Sequence, residues 1–151
     1  MALIYKSNKK LTIFKKMARA GTNLVDKIRK TPSIYSRKKN TMEISLEKIN
    51  DSDIISVKGR LDVTTTAELD KTFSSLFESG GAKILVDCAE LEYISSAGLR
   101  TLLAAAKNSK KQNGKIVLAC LNRNVRQIFE ISGFTQIFDI FDSRESALSA
   151  L

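Results

Sequence analysis

Ile84-Leu85-Val86-Asp87-Cys88-Ala89-Glu90-Leu91-Glu92-Tyr93-Ile94-Ser95-Ser96-Ala97-Gly98-Leu99-Arg100 is the stretch on which the fold turns. Ile84, Leu85 and Val86 form a short unbroken apolar run, the pattern of a strand covered on both faces. A loop from Cys88 to Ser95 follows. Beyond Ser95 the apolar residues change to helical spacing: Leu99, Leu102, Leu103 and Ala106 line one side of a helix that runs to about Asn113 and stops at Gly114. A buried strand that feeds a loop and then a helix is a unit of an α/β sheet. The loop then falls at the carboxyl end of the strand, where such sheets display function.

The same units recur on both sides. Upstream, Met42, Ile44 and Leu46 alternate with Glu43, Ser45 and Glu47, as in a strand with one buried face. Asn50-Asp51-Ser52-Asp53 is a polar turn, Ile54 to Lys58 reads as the return strand of a hairpin, and Gly59 breaks the pattern. Thr65 followed by Glu68 has capping-box spacing, so a helix is expected from about Thr66 to Ser79. Leu69, Phe73, Leu76 and Phe77 form its inner face, and Gly80-Gly81 ends it. Downstream, Ile116 to Ala119 repeats the buried-strand pattern. A helix from about Arg123 to Ser132 buries Val125, Ile128 and Phe129 before Gly133. Ile137, Phe138, Ile140 and Phe141 suggest a last short strand, and Asp142 with Glu145 caps a terminal helix ending near Leu151. The expected fold class is therefore α/β, a mixed sheet of four to five strands covered by about four helices, in the order β-β-α-β-α-β-α-β-α. Right-handed crossovers join the parallel strands, and an antiparallel hairpin opens the sheet.

Composition narrows the function. The chain has 151 residues, 43% of them hydrophobic, enough for one modest domain with its own core. It contains no histidine, which rules out Ser–His–Asp and Cys–His catalysis and removes the commonest metal ligand. Two cysteines, Cys88 and Cys120, are too few for a four-thiolate zinc site or a disulfide framework; each closes an apolar strand, and buried, inert thiols are expected. No stretch approaches the roughly 20 apolar residues of a membrane-spanning helix. A soluble, cytoplasmic, single-domain protein without metal or cofactor is the expectation.

The charge is unevenly placed. Lys and Arg number 25 against 16 Asp and Glu, a formal net charge of +9. Residues 1–40 hold 12 of the basic side chains and a single acid, Asp26, for +11, so residues 41–151 are net −2. The chain divides into a basic leader, 1–41, and a near-neutral domain, 42–151. Phe14, Met17, Gly21, Leu24, Val25 and Ile28 give the leader some helical periodicity. It reads as an amphipathic helix on anionic lipid or a partner, as a nucleic-acid arm on charge alone, or as a solvated, disordered tail. Translation starting at Met42 is a further reading. No direct nucleic-acid contact is expected of the domain.

Tyr93-Ile94-Ser95-Ser96-Ala97-Gly98-Leu99-Arg100 is the candidate functional loop. A serine opening a helix sits by unpaired N–H groups at the positive end of the helix dipole. Plain N-capping accounts for one such serine, at about 1 kcal/mol. Two serines followed by the small residues Ala97 and Gly98 also suit the close approach of another surface.

Residues 42–151 resemble a STAS domain of the anti-sigma factor antagonist family. Three features carry the resemblance: Gly59-Arg60-Leu61-Asp62 matches the family's Gly-x-Leu-Asp turn, Ile84 to Asp87 matches its buried strand ending in Asp, and the serine loop matches its Asp-Ser, small residue, Gly, Leu pattern. The resemblance implies that Ser96 is the phosphorylation site. It also implies that Asp62, Ser95, Ser96, Ala97, Gly98, Leu99 and Arg100 contact the partner. That partner would be an anti-sigma factor that is itself a serine kinase, with a serine phosphatase resetting the switch. Ser95 occupies the usual Asp position and stands as an alternative acceptor. Asp62 also reads as a residue that satisfies turn backbone, and Asp87 as one that ends its strand and orders the next loop. A second reading is a STAS accessory protein of a membrane transport system, with the leader as its membrane contact. A small-molecule or nucleotide sensor is a third, though no glycine-rich phosphate cradle supports it. An enzyme is the reading with least support.

Overall fold

The computed structural model describes residues 41–151; every reading of the leader, whether as helix, arm, tail or membrane contact, lies outside the described residues. The elements are β1 (Glu43–Ile49), β2 (Ser52–Leu61), α1 (Thr66–Glu78), β3 (Lys83–Asp87), β4 (Leu91–Ile94), α2 (Ser96–Lys111), β5 (Lys115–Ala119), α3 (Arg123–Ile131), a 3₁₀ turn (Phe134–Gln136), β6 (Asp139–Phe141) and α4 (Arg144–Ser149). The sheet order is β1-β2-β3-β5-β6, with β4 paired to the far end of β2. Only β1 and β2 run antiparallel; the other pairs are parallel. This is the expected mixed α/β architecture with its opening hairpin.

Continuous apolar runs arise because adjacent strand residues face opposite sides and both sides are covered. Ile55, Ile84, Val86, Ile116 and Leu118 face the larger core with Leu69 and Phe73 of α1, Leu102 and Ala105 of α2, and Val125 and Phe129 of α3. Their sequence neighbours Ile54, Leu85, Val117 and Ala119 face the other side, against Ala147 and Leu148 of α4. Phe129 meets Phe134 and Phe138 edge-on, with ring centroids 6.1 and 6.2 Å away.

Several details differ from the pattern reading. The segment 88–95 is not all loop, since Leu91–Ile94 is a sixth strand. Its burial, in–out–out–in, lacks strict alternation, and four residues are too few to show a period. The pairing also passes a register shift at Gly59–Arg60, where Gly59 takes φ +94. Gly59 thus lies within β2 rather than ending it. Leu46 is exposed although it alternates correctly, because β1 is an edge strand with a neighbour on one side only. In α2 the inward row is Gly98, Leu102, Ala105 and Ser109, with Leu103 and Ala106 only half-buried. A serine belongs to that row because its Oγ donates to the Ala82 carbonyl at 2.6 Å. The last strand begins at Asp139, after the 3₁₀ turn, and Ile137 is outside it. Ser143, not Asp142, caps α4 by accepting from the Ser146 N–H, while Asp142 pairs with Arg126 at 2.6 Å.

Candidate functional site

The parallel pairing of β2 with β4 builds the site. Leu61 stands beside Ile94, and the Ser95 N–H donates to the Leu61 carbonyl at 2.9 Å. The next residues of the two strands, Asp62 and Ser95, therefore leave the sheet side by side, 33 positions apart in the chain. Two turns grow from this point, one into α1 and the other into α2.

The first turn is tied by its own hydroxyls. Asp62 Oδ1 accepts from the Thr64 N–H at 2.9 Å and from Thr64 Oγ1 at 2.6 Å. These donors hold the Asp62 carboxyl below the usual carboxylate range. Thr65 precedes α1 but does not close the expected capping box, because its backbone is already near-helical and its hydroxyl is committed elsewhere. Thr65 Oγ1 accepts from the Asp62 N–H at 2.9 Å and donates to the Arg60 carbonyl at 2.8 Å. The turn reading of Asp62 thus describes its contacts well. Val63, between these anchored residues, is 76% exposed at the tip.

The second turn separates the two serines by role. Ser95 is the N-cap of α2, in extended backbone, and its Oγ accepts from the Gly98 N–H at 3.3 Å. It is half-buried. Ser96 is the first helical residue; it is exposed, and its hydroxyl makes no hydrogen bond among the described residues. The Ser96 carbonyl accepts from Arg100 Nε at 3.4 Å. A helix start leaves its first N–H groups unpaired within the helix, and Ser95 answers one of them.

Of the residues expected to meet a partner, Asp62, Ser95, Ser96, Ala97 and Arg100 reach this surface, whereas Gly98 and Leu99 turn inward. The small side chain at 98 serves internal packing: a Cβ there would lie 2.8 Å from Ile94 Cγ1 and 2.8 Å from Leu61 Cγ. Gly98 therefore admits β2 and β4 beneath α2. Arg60 of the Gly-x-Leu-Asp turn and Tyr93 of the serine loop, neither expected to meet the partner, lie at the edge of the site. They are register partners, with the guanidinium 4.3 Å from the ring centroid. Asp62-x-Thr64, a spacing suited to a side-chain turn, was the sequence signal for the rigid loop around Val63.

The other polar candidates have structural work. Asp87 ends β3, and its Oδ1 accepts from the Ala89 N–H at 3.0 Å, ordering the turn into β4 as expected. Cys88 packs in the larger core, and burial pushes its thiol far up. Cys120 follows the neighbouring strand at φ +60 and packs against the smaller core, so the two thiols serve opposite faces. It is half-buried rather than buried, and desolvation also raises its thiol. Among the described residues no cluster of three or more metal-ligating side chains occurs, and no helix is long and apolar enough to cross a membrane.

The STAS domain family model matches residues 43–147. A Bordetella bronchiseptica protein, BtrV, named for the role of anti-sigma factor antagonist, is 36% identical over 109 residues, covering 72% of this chain and 94% of that protein. The anti-sigma-B factor antagonist of Bacillus subtilis is 29% identical over 109 residues, covering 71% of this chain and 99% of its own. Among solved structures, the Bacillus anti-sigma factor antagonist SpoIIAA has the same fold. Its unphosphorylated form superposes with a TM-score of 0.64 at 20% identity over 72% of this chain and 95% of that chain. Its phosphorylated form gives 0.59 at 19%, over 72% and 98%.

Proposed function

This chain belongs to the STAS domain family, and on that premise we propose that it is an anti-sigma factor antagonist switched by phosphorylation of Ser96. Unmodified, residues 42–151 bind an anti-sigma factor that is also a serine kinase, and a sigma factor is released; the basic leader 1–41 is a separate segment. The kinase transfers the γ-phosphoryl group of ATP to Ser96 Oγ. The Oγ–P bond forms, the bond to the departing ADP breaks, and the hydroxyl gives up its proton. The modified surface no longer binds, and a serine phosphatase restores it by hydrolysis. The working compartment is the cytoplasm, and neither catalysis by this chain nor direct nucleic-acid contact is part of the reading.

The observation that carries this reading is the contrast between the two serines. Ser95 is spent on capping, whereas the Ser96 hydroxyl is exposed beside the rigid Asp62 turn. A phosphate brings about −1.5 to −2 charge at neutral pH. At the first residue of α2 it lies by the positive end of the helix dipole, which favours it by about 0.3–1 kcal/mol. The domain therefore tolerates the modification, and a protein packed on Ser96, Ala97 and Val63 does not.

The test has two parts. Incubation of the full chain with its cognate kinase and ATP should label Ser96; Ser96→Ala should abolish the label and Ser95→Ala should keep it. Ser96→Asp should lose the partner while its circular-dichroism melt stays within a few degrees of the parent. Tight binding by Ser96→Asp overturns the switch. So does an unlabelled chain that co-purifies with transporter subunits, the outcome expected of an accessory protein of membrane transport.

A further inference from the structure

A new phosphate needs a counter-ion, and the structure keeps one beside Ser96. Side chains at i and i+4 stack on the same face of a helix, so Arg100 is the cation above Ser96. Its Nε donates to the Ser96 carbonyl at 3.4 Å, which folds the guanidinium back along the first turn toward the serine. Arg100 sits in no ion pair among the described residues, as is also true of Lys107, Lys110 and Lys111 on the same helix, so its guanidinium is not committed to a carboxylate. Arg60, the cation on the neighbouring strand, is laid over the Tyr93 ring. From Ser96 to Lys111, α2 contains no acidic residue. Its outer face reads Ser96, Arg100, Lys107, Lys111, at helical spacings of 4, 7 and 4. This basic stripe fits carboxylates on a partner protein, and Arg100 is its cation closest to the acceptor hydroxyl.

We propose that Arg100 is the built-in counter-ion of the Ser96 phosphate, so that modification closes the guanidinium onto the phosphate and removes from the stripe the cation an acidic partner would meet first. This rests on the reading of Ser96 as acceptor. The planar guanidinium can give two parallel N–H donors to a phosphate, where a lysine gives a point charge. The added group thus acts twice, by its own bulk and charge and by occupying Arg100.

The test reads the phosphate itself. Phosphoserine is placed at position 96 of the full chain during translation, without a kinase, and its second ionisation, ordinarily near pH 6, is followed by ³¹P NMR. A cation that engages the phosphate favours the dianion, so the midpoint should rise by about half a pH unit in Arg100→Ala relative to the parent. Arg100→Lys should fall between the two, and Arg60→Ala should titrate like the parent. Amide spectra of each variant check that the fold is kept. An unmoved midpoint in Arg100→Ala, or a rise in Arg60→Ala instead, overturns the proposal. Because no kinase is used, a failure here is distinct from failure of the acceptor reading, which the phosphopeptide map decides.

Discussion

Replacing Gly98 with alanine sets two opposed effects against each other inside the first turn of α2. In a helix interior alanine is favoured over glycine by about 0.5–1 kcal/mol, because glycine loses more backbone freedom on ordering. Against this, the new methyl would lie 2.8 Å from Ile94 Cγ1, 2.8 Å from Leu61 Cγ and 3.0 Å from the Leu61 carbonyl oxygen. None of these is a loose surface end: Leu61 and Ile94 are each 1% exposed, and the Leu61 carbonyl receives the Ser95 N–H. Overpacking of a filled core costs about 1–3 kcal/mol. The clash should therefore win by about 1–2 kcal/mol, which for a domain of this size lowers Tm by about 4–10 °C. Relief of the clash requires α2 to lift from β2 and β4, lengthening the Ser95–Leu61 bond that sets Ser96 beside Asp62. Partner affinity should fall further than stability alone explains. Calorimetry and urea unfolding of the full chain measure the first effect, and titration with the proposed anti-sigma factor partner the second. A melt equal to or above the parent's would refute the packing account and return Gly98 to the partner surface.

Two further predictions concern Ser95 and Asp62, the residues that leave the sheet side by side next to Ser96. Ser95→Ala removes the cap on Gly98 N–H and should cost about 1 kcal/mol in urea unfolding, whereas Ser95→Asp, which can accept the same bond, should stay within about 0.5 kcal/mol of the parent; equal losses in both variants would show that the cap is not what Ser95 contributes. Asp62 should titrate below about 3.9, the ordinary aspartate value, when followed by carboxyl ¹³C NMR, because the Thr64 hydroxyl and N–H favour its charged form. A carboxyl depressed in the folded state stabilises the fold above the unfolded value, and that contribution disappears as pH falls through the folded value. The turn should accordingly loosen only in acid, and Thr64→Ala should raise the midpoint. A midpoint at or above 3.9 in the parent would contradict the hydrogen bonding described.

The legible parts of the fold are those where one physical pattern dominates. Ile84–Val86 and Ile116–Ala119 could be read as buried strands because each is covered on both faces and so carries no polar residue in its middle. Helix inner faces were legible through Leu69 and Phe73, or Val125 and Phe129, four apart. Ser109 escaped because a buried serine whose hydroxyl finds a carbonyl looks in sequence like a surface residue. Thr65–Glu68 and Asp142–Glu145 have the spacing of capping boxes, yet Thr65 is engaged by Arg60 and Asp62, and Asp142 by Arg126. Spacing shows which bonds are available, and competing partners decide which are made.

By itself the sequence determined the α/β class, the hairpin, the order of the helices and of every strand but β4, and Ser96 at the head of a helix. These follow from local periodicity, from turn residues and from the Gly-x-Leu-Asp and serine-loop motifs. Only the tertiary structure decided that Leu91–Ile94 is a strand on the end of β2, for its four residues gain their pairing from a bulged segment some 30 positions earlier. That one pairing brings Asp62 next to Ser95, turns Gly98 inward onto Leu61 and Ile94, and leaves the Ser96 hydroxyl exposed, with Arg100 Nε donating to the Ser96 carbonyl. Which serine caps and which is free depends on backbone angles and on neighbours across the sheet, and two adjacent serines in a sequence carry no trace of that difference.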